Sequence, residues 1–122
     1  MNERLKAALA ATVESLKVGK LEADFEAWAV KEIEKAGGWA PKFTSPGTNG
    51  APDRIVFWRR PKSRRGWRNV IDFAEFKLED GKDQPSQPLF HQKLNHYGWM
   101  VSIFRSPAEV MDYIRYRSEE GE

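Results

Sequence analysis

The sequence predicts a mixed α/β domain, and three features carry that prediction. Apolar residues recur at helical spacing towards both ends of the chain, and short runs rich in β-branched and aromatic residues alternate in its middle. Loops dense in glycine and proline separate these segments.

Leu5, Leu9, Val13 and Leu16 space an amphipathic helix over 2–17, which Val18-Gly19-Lys20 is expected to end. A second helix is expected from about Leu21 to Ala36, with Phe25, Trp28, Ala29, Ile33 and Ala36 on its apolar face. Gly37-Gly38 stops it in the usual C-terminal role of glycine. Glu26 is out of place on that face: a carboxylate beside apolar surface needs a cation or a hydrogen bond, or else reaches water at the rim. Trp39 to Thr44 reads as a short strand carrying Lys42, and Ser45 to Pro52 as a loop with ready access to positive φ. Strands follow over Asp53–Trp58 and Asn69–Leu78, joined as a long hairpin.

Leu78 to Pro85 is rich in turn residues, and Ser86 suits the cap of a helix that runs to about Tyr97 and breaks at Gly98. Trp99–Phe104 is the last strand. Ser106-Pro107-Ala108-Glu109 forms a capping box with proline at the first helical position, so a final helix reaches about Arg117. The expected architecture is a central mixed sheet of about four strands flanked by helices, with an extra helix at the N-terminus. The corresponding divisions are an N-terminal helix over 1–20, the main domain over 21–117 and an acidic tail over 118–122.

A length of 122 residues fits one domain, and such a chain buries roughly two thirds of its unfolded surface. With 40% hydrophobic and 31% charged residues, the composition is that of a soluble globular protein. No apolar run approaches the roughly 20 residues that span a bilayer, so no membrane segment is expected. The N-terminus lacks the apolar core of a signal peptide, and a cytoplasmic setting is the default expectation. Without cysteine there is no disulfide framework and no thiolate zinc site.

Net charge is only +2, but its distribution is uneven. Arg59, Arg60, Lys62, Arg64, Arg65 and Arg68 cluster between Arg54 and Ile71 with no acid among them, and Trp58 and Trp67 flank the run. Cations beside flat rings suit a nucleic-acid backbone; a solvated hairpin tip is the simpler alternative.

The chemistry concentrates on Asp53 and on Glu75-Phe76-Lys77. Residues two apart on a strand share a face. Glu75 and Lys77 therefore point one way, and Ala74, Phe76 and Leu78 point the other way into a core. Asp53 reaches the same space if the two strands pair antiparallel. Two carboxylates suit Mg²⁺, which takes hard oxygen ligands and keeps waters for its substrate, and a lysine beside them can orient water or steady a phosphoryl transition state. A surface salt-bridge pair is the competing reading. The acid-x-lysine pattern is short enough to recur at Asp80-Gly81-Lys82, where no strand supports it.

The string Lys42-Phe-Thr-Ser-Pro-Gly-Thr-Asn-Gly-Ala-Pro-Asp-Arg-Ile-Val-Phe57, then Ala74-Glu-Phe-Lys77, then Gln87, Phe90-His91-Gln-Lys-Leu94 and Gly98, resembles the virus-type replication-repair nuclease (VRR-NUC) domain of the PD-(D/E)XK superfamily. The resemblance spans about Leu21 to Phe104. It implies a restriction-endonuclease-like core and metal-dependent hydrolysis of DNA phosphodiesters with Mg²⁺ or Mn²⁺, in a bacterial or phage-infected cell. It makes Asp53 and Glu75 metal ligands and Lys77 the catalytic lysine. Glu26 becomes a further ligand, directly or through water, and Gln87 a site residue on the following helix. Lys42 matches a position that contacts phosphate, although an exposed strand residue is as good a reading. The resemblance also implies branched or structured DNA as substrate and a homodimer.

The chain departs from the short members of the family by inserting the arginine-rich segment, read as a substrate arm. A non-catalytic DNA-binding accessory module built on that arm is the rival reading. His91 and His96, five apart on a helix, are expected to be surface or packing residues, and Trp28, Trp39 and Trp99 to be core.

Overall fold

The computed structural model describes residues 2–44, 50–59, 68–78 and 87–118, with the backbone alone for 11–19 and 87. Three helices and a three-stranded sheet make up this part. Their order is α1 (Glu3–Lys35), β1 (Arg54–Trp58), β2 (Val70–Phe76), α2 (Gln87–His96), β3 (Val101–Phe104) and α3 (Pro107–Arg117).

The N-terminal region corrects the sequence reading. The two expected helices form one helix of 33 residues that runs through Gly19. A mid-helix glycine costs about 1 kcal/mol relative to alanine but, unlike proline, leaves the hydrogen-bond ladder intact. Asn2 caps the start, its side-chain oxygen accepting from the Leu5 N–H. The end lies where expected, with Gly37 at φ 102° just past the helix.

β1 pairs antiparallel with β2, and β2 pairs parallel with β3 after the α2 crossover. The strand expected over Trp39–Thr44 is reduced to two isolated bridges, Trp39 to Phe57 and Lys42 to Arg54. Pro41 accounts for the interruption: its carbonyl accepts from the Ile55 N–H, but it has no N–H to return. The segment still lies along the outer edge of β1, because the Phe43 N–H donates to the Asp53 carbonyl.

Alternation assigns each sheet face its helices. Val56, Trp58, Ala74 and Phe76 join Phe25, Ala29 and Ile33 of α1 and Val110 and Ile114 of α3 in the buried core. On the opposite face, Phe73 and Phe90 of α2 both pack edge-on against Phe43. Trp28 packs partly buried against the core, as expected. Trp39 and Trp99 do not: they are 60% and 43% exposed, on the sheet face that α2 covers only in part.

α3 starts as the capping box predicts. Ser106 accepts from the Glu109 N–H, and Glu109 accepts in return from the Arg105 N–H. Its far end holds a polar clamp. Arg117 reaches Asp72 of β2 through two hydrogen bonds, Tyr113 donates to the same carboxylate, and the Trp58 indole donates to Tyr113. Burial beside Asp72 drives the Tyr113 hydroxyl pKa far upward, so this phenol stays protonated as a donor. The clamp fixes α3 to the sheet and leaves the opposite face to the candidate site.

Candidate active site at the Asp53–Glu75 strand pair

The antiparallel register sets Arg54 against Ala74. Glu75 is the next residue of β2 and belongs to the α2 face by alternation, while Asp53 lies just before β1. Asp53 Oδ2 accepts from the Phe76 N–H at 2.8 Å, which ties the acid to the end of β2. Lys77 follows directly, its own N–H donating to the Phe104 carbonyl of β3.

Electrostatics link the same residues. Burial pushes the Asp53 carboxyl above its ordinary value. The Phe76 N–H opposes that shift, the negative charge of Glu26 adds to it, and the charges of Lys77 and Arg54 oppose it more weakly. Asp53 therefore sits among Glu26, Lys77 and Arg54, and it is an acid held at some cost in its ionised form. Such a group gains from a cation.

Glu75 is fully buried despite facing away from the main core. Its cover is α2, whose His91 brings Nε2 to 3.7 Å from Glu75 Oε1. This histidine is a packing residue, as one of the two expected roles had it, and what it packs on is the candidate site. Its side chain is 14% exposed and lies against the central carboxylate.

Glu26 points to the same end of the sheet, but its Oε2 accepts from Arg54 Nε at 2.9 Å and lies 2.8 Å from Arg54 Nη2. Arg54 also donates to the Ala40 carbonyl. The cation that Glu26 needed on its apolar face is thus Arg54, which sequence reading did not single out. The signal was present in principle, since Arg54 alternates with Val56 and Trp58 onto the core face, where a cation needs an anion.

Among the described residues no group of three or more His, Cys, Asp and Glu side chains converges to hold a metal. Asp53 and Glu75 nonetheless have the hard-oxygen chemistry and the two-carboxylate count that suit Mg²⁺ or Mn²⁺. Glu26 stands one step further out, held by Arg54. Lys42 is exposed and pairs with Arg54 across the strand edge, and Arg59 and Arg68, which follow β1 and precede β2, are exposed. Arg60, Lys62, Arg64 and Arg65 lie outside the described residues, as does the side chain of Gln87, although Gln87 itself opens α2.

No family model matches the chain. Two curated proteins do. "Putative nuclease p44" of Acyrthosiphon pisum secondary endosymbiont phage 1 is 36% identical over 85 residues, 70% of this chain and 83% of that protein. Large ribosomal subunit protein eL31 of Ignicoccus hospitalis is 32% identical over 69 residues, 57% of this chain and 67% of that protein. The fold decides between these two names. A solved VRR_NUC domain matches with a TM-score of 0.62 and 29% identity, across 78% of this chain and 95% of its own. The chain belongs to the VRR-NUC nuclease family.

Proposed function

We propose that the protein is a Mg²⁺- or Mn²⁺-dependent DNA nuclease, an endonuclease that cuts branched or otherwise structured DNA. The observation that carries this reading is Asp53, just before β1, held by the Phe76 N–H next to a fully buried Glu75, with Lys77 directly after the end of β2. A non-catalytic DNA-binding module would have no use for a desolvated acid pair at the end of a hairpin. The phage nuclease relative supports a nuclease of viral type.

Asp53 and Glu75 would hold the ion, and Glu26 would act through water from its place beside Arg54. Bound there, the ion supplies Lewis acidity and neutralises charge that develops on the phosphoryl oxygens. The protein's own groups do the rest. The Phe76 N–H fixes one oxygen of Asp53, so the acid is oriented before substrate arrives. His91 walls Glu75 off from water on the α2 side. The Lys77 ammonium, near enough to Asp53 to act on its titration, orients the attacking water or meets a non-bridging phosphate oxygen. Lys42, Arg59 and Arg68, all exposed, neutralise the flanking phosphates. A second copy of the chain would bring two such sites to one DNA, which sedimentation equilibrium reads directly.

The test is incubation with linear duplex, flap, four-way junction and RNA substrates, in Mg²⁺ and again in EDTA. Metal-dependent cutting of flap or junction DNA ahead of linear duplex supports the reading. Binding without cutting in any metal supports the accessory-module alternative.

A further inference from the structure

The sheet face that carries Asp53 and Glu75 has a second feature at its other end. Phe57 partners Ile71 across β1 and β2, and Trp39 bridges to Phe57 from the edge segment. The Trp39 and Phe57 rings stack at 5.1 Å and 27°. Trp39 is 60% and Ile71 38% exposed, and both large apolar side chains meet one groove. Around them lies an open groove of about 490 Å³, also lined by Arg59 and Asn69.

Charge identifies the occupant. Arg59 lines the groove and Arg68 adjoins it in sequence, at the two ends of a stretch with six basic residues and no acid. A purely apolar partner would leave that charge uncompensated, whereas a nucleotide answers both features at once, its base on the ring and its phosphate on the guanidinium. Phe57 of β1 lies four residues after Asp53, about 13 Å at 3.3 Å per extended residue. The Phe43, Phe73 and Trp99 rings fill the sheet face between the two ends. The groove is therefore within a few nucleotides of the site but separate from it.

We infer that the Trp39–Phe57–Ile71 groove with Arg59 is a subsite for an unpaired nucleobase of the DNA substrate. Trp39 is the stacking platform and Arg59 the phosphate contact. This inference rests on the reading of DNA as substrate and adds to it a means of choosing branched over continuous duplex: only DNA with unstacked bases can fill the subsite.

The experiment compares wild-type protein with Trp39→Leu and Trp39→Phe in EDTA, where cutting is suppressed. Affinity is measured by fluorescence anisotropy for a blunt duplex and for the same duplex with a single-stranded adenine tail. Trp39→Leu keeps the apolar surface but loses the aromatic ring, and it should weaken tailed DNA by roughly 5- to 150-fold. Blunt duplex should change less than about twofold, and Trp39→Phe should recover most of the loss. Equal effects on both DNAs, or none on tailed DNA, would overturn the subsite while leaving the nuclease reading intact. A fall from dimer to monomer on sedimentation of Trp39→Leu would also overturn it, assigning the groove to a second copy. Wild-type protein that binds neither DNA would remove the substrate reading and the subsite together.

Discussion

Asp53 is held against its own preference. Its pKa is raised by burial and by the nearby Glu26 charge, with only the Phe76 N–H and two cations in opposition. The folded protein therefore binds this proton more tightly than the unfolded chain does. In EDTA, stability should fall as pH rises from the ordinary carboxylate range through the raised value. Asp53→Asn keeps an oxygen for the Phe76 N–H and removes the charge. Thermal melts of this variant in EDTA should lose that pH dependence and come no lower than wild type near neutrality, although cleavage is abolished. A variant that melts well below wild type would mean the ionised carboxylate stabilises the fold.

His91 supports its neighbour in a different way, by packing against Glu75. Residues that orient a ligand typically account for 10- to 100-fold in metal affinity or activity. His91→Ala should accordingly lower cleavage by about that factor and raise the Mn²⁺ concentration needed for half-maximal rate. The two residues differ in how far sequence discloses them. Strand alternation, a local rule, gives the face of Glu75, and the family resemblance picks out Asp53, Glu75 and Lys77 together. His91 meets Glu75 only once α2 has folded back over the sheet, and its five-residue spacing to His96 points away from any site.

At the scale of elements, the Asp72 clamp separates stability from chemistry. Asp72 is 8% exposed and joins β2 to Arg117 and Tyr113 of α3, on the face opposite Glu75. Removing one partner of a buried ion pair leaves the other charge uncompensated, at about 3–5 kcal/mol. Asp72→Ala should lose roughly 3 kcal/mol in urea unfolding, near the low end of that range because Arg117 keeps some contact with water. Cleavage well below the melting temperature should survive. The clamp was hidden in the sequence because Asp72 sits among apolar strand residues and its partners come some 40 positions later, at Tyr113 and Arg117.

The boundaries that sequence misjudged have local causes too. Gly19 does not end α1, because a glycine without a following proline leaves the helix free to continue where packing favours it. Pro41 divides the expected edge strand into two bridges by withholding one N–H. By contrast, the α3 start and the α2 stop at Gly98, with φ 90°, were legible because capping chemistry is written in adjacent residues.

Across the whole molecule, the mixed sheet with a parallel β2–β3 crossover follows from the order of periodic segments, and the family from motifs whose spacing the fold explains. Substrate engagement depends on residues further apart. The arginine-rich arm is expected to grip the DNA backbone, so Arg64→Gln with Arg65→Gln should flatten the dependence of log affinity on log salt by about 1.8, at 0.9 for each phosphate left without its arginine. An unchanged slope would remove the arm from the interface.

The central claim is that the Asp53–Glu75 strand pair cuts DNA with a divalent metal, and purified Glu75→Ala tests it most directly. Cleavage of a labelled four-way junction should proceed for wild type in Mg²⁺, stop in EDTA, and fall in the variant by about a hundred- to a thousandfold, as expected when charge stabilisation at the transition state is removed. Junction affinity measured in EDTA should stay within about threefold of wild type, because phosphate contacts carry most of the binding. Metal-dependent cutting by Glu75→Ala at a rate near wild type would contradict it.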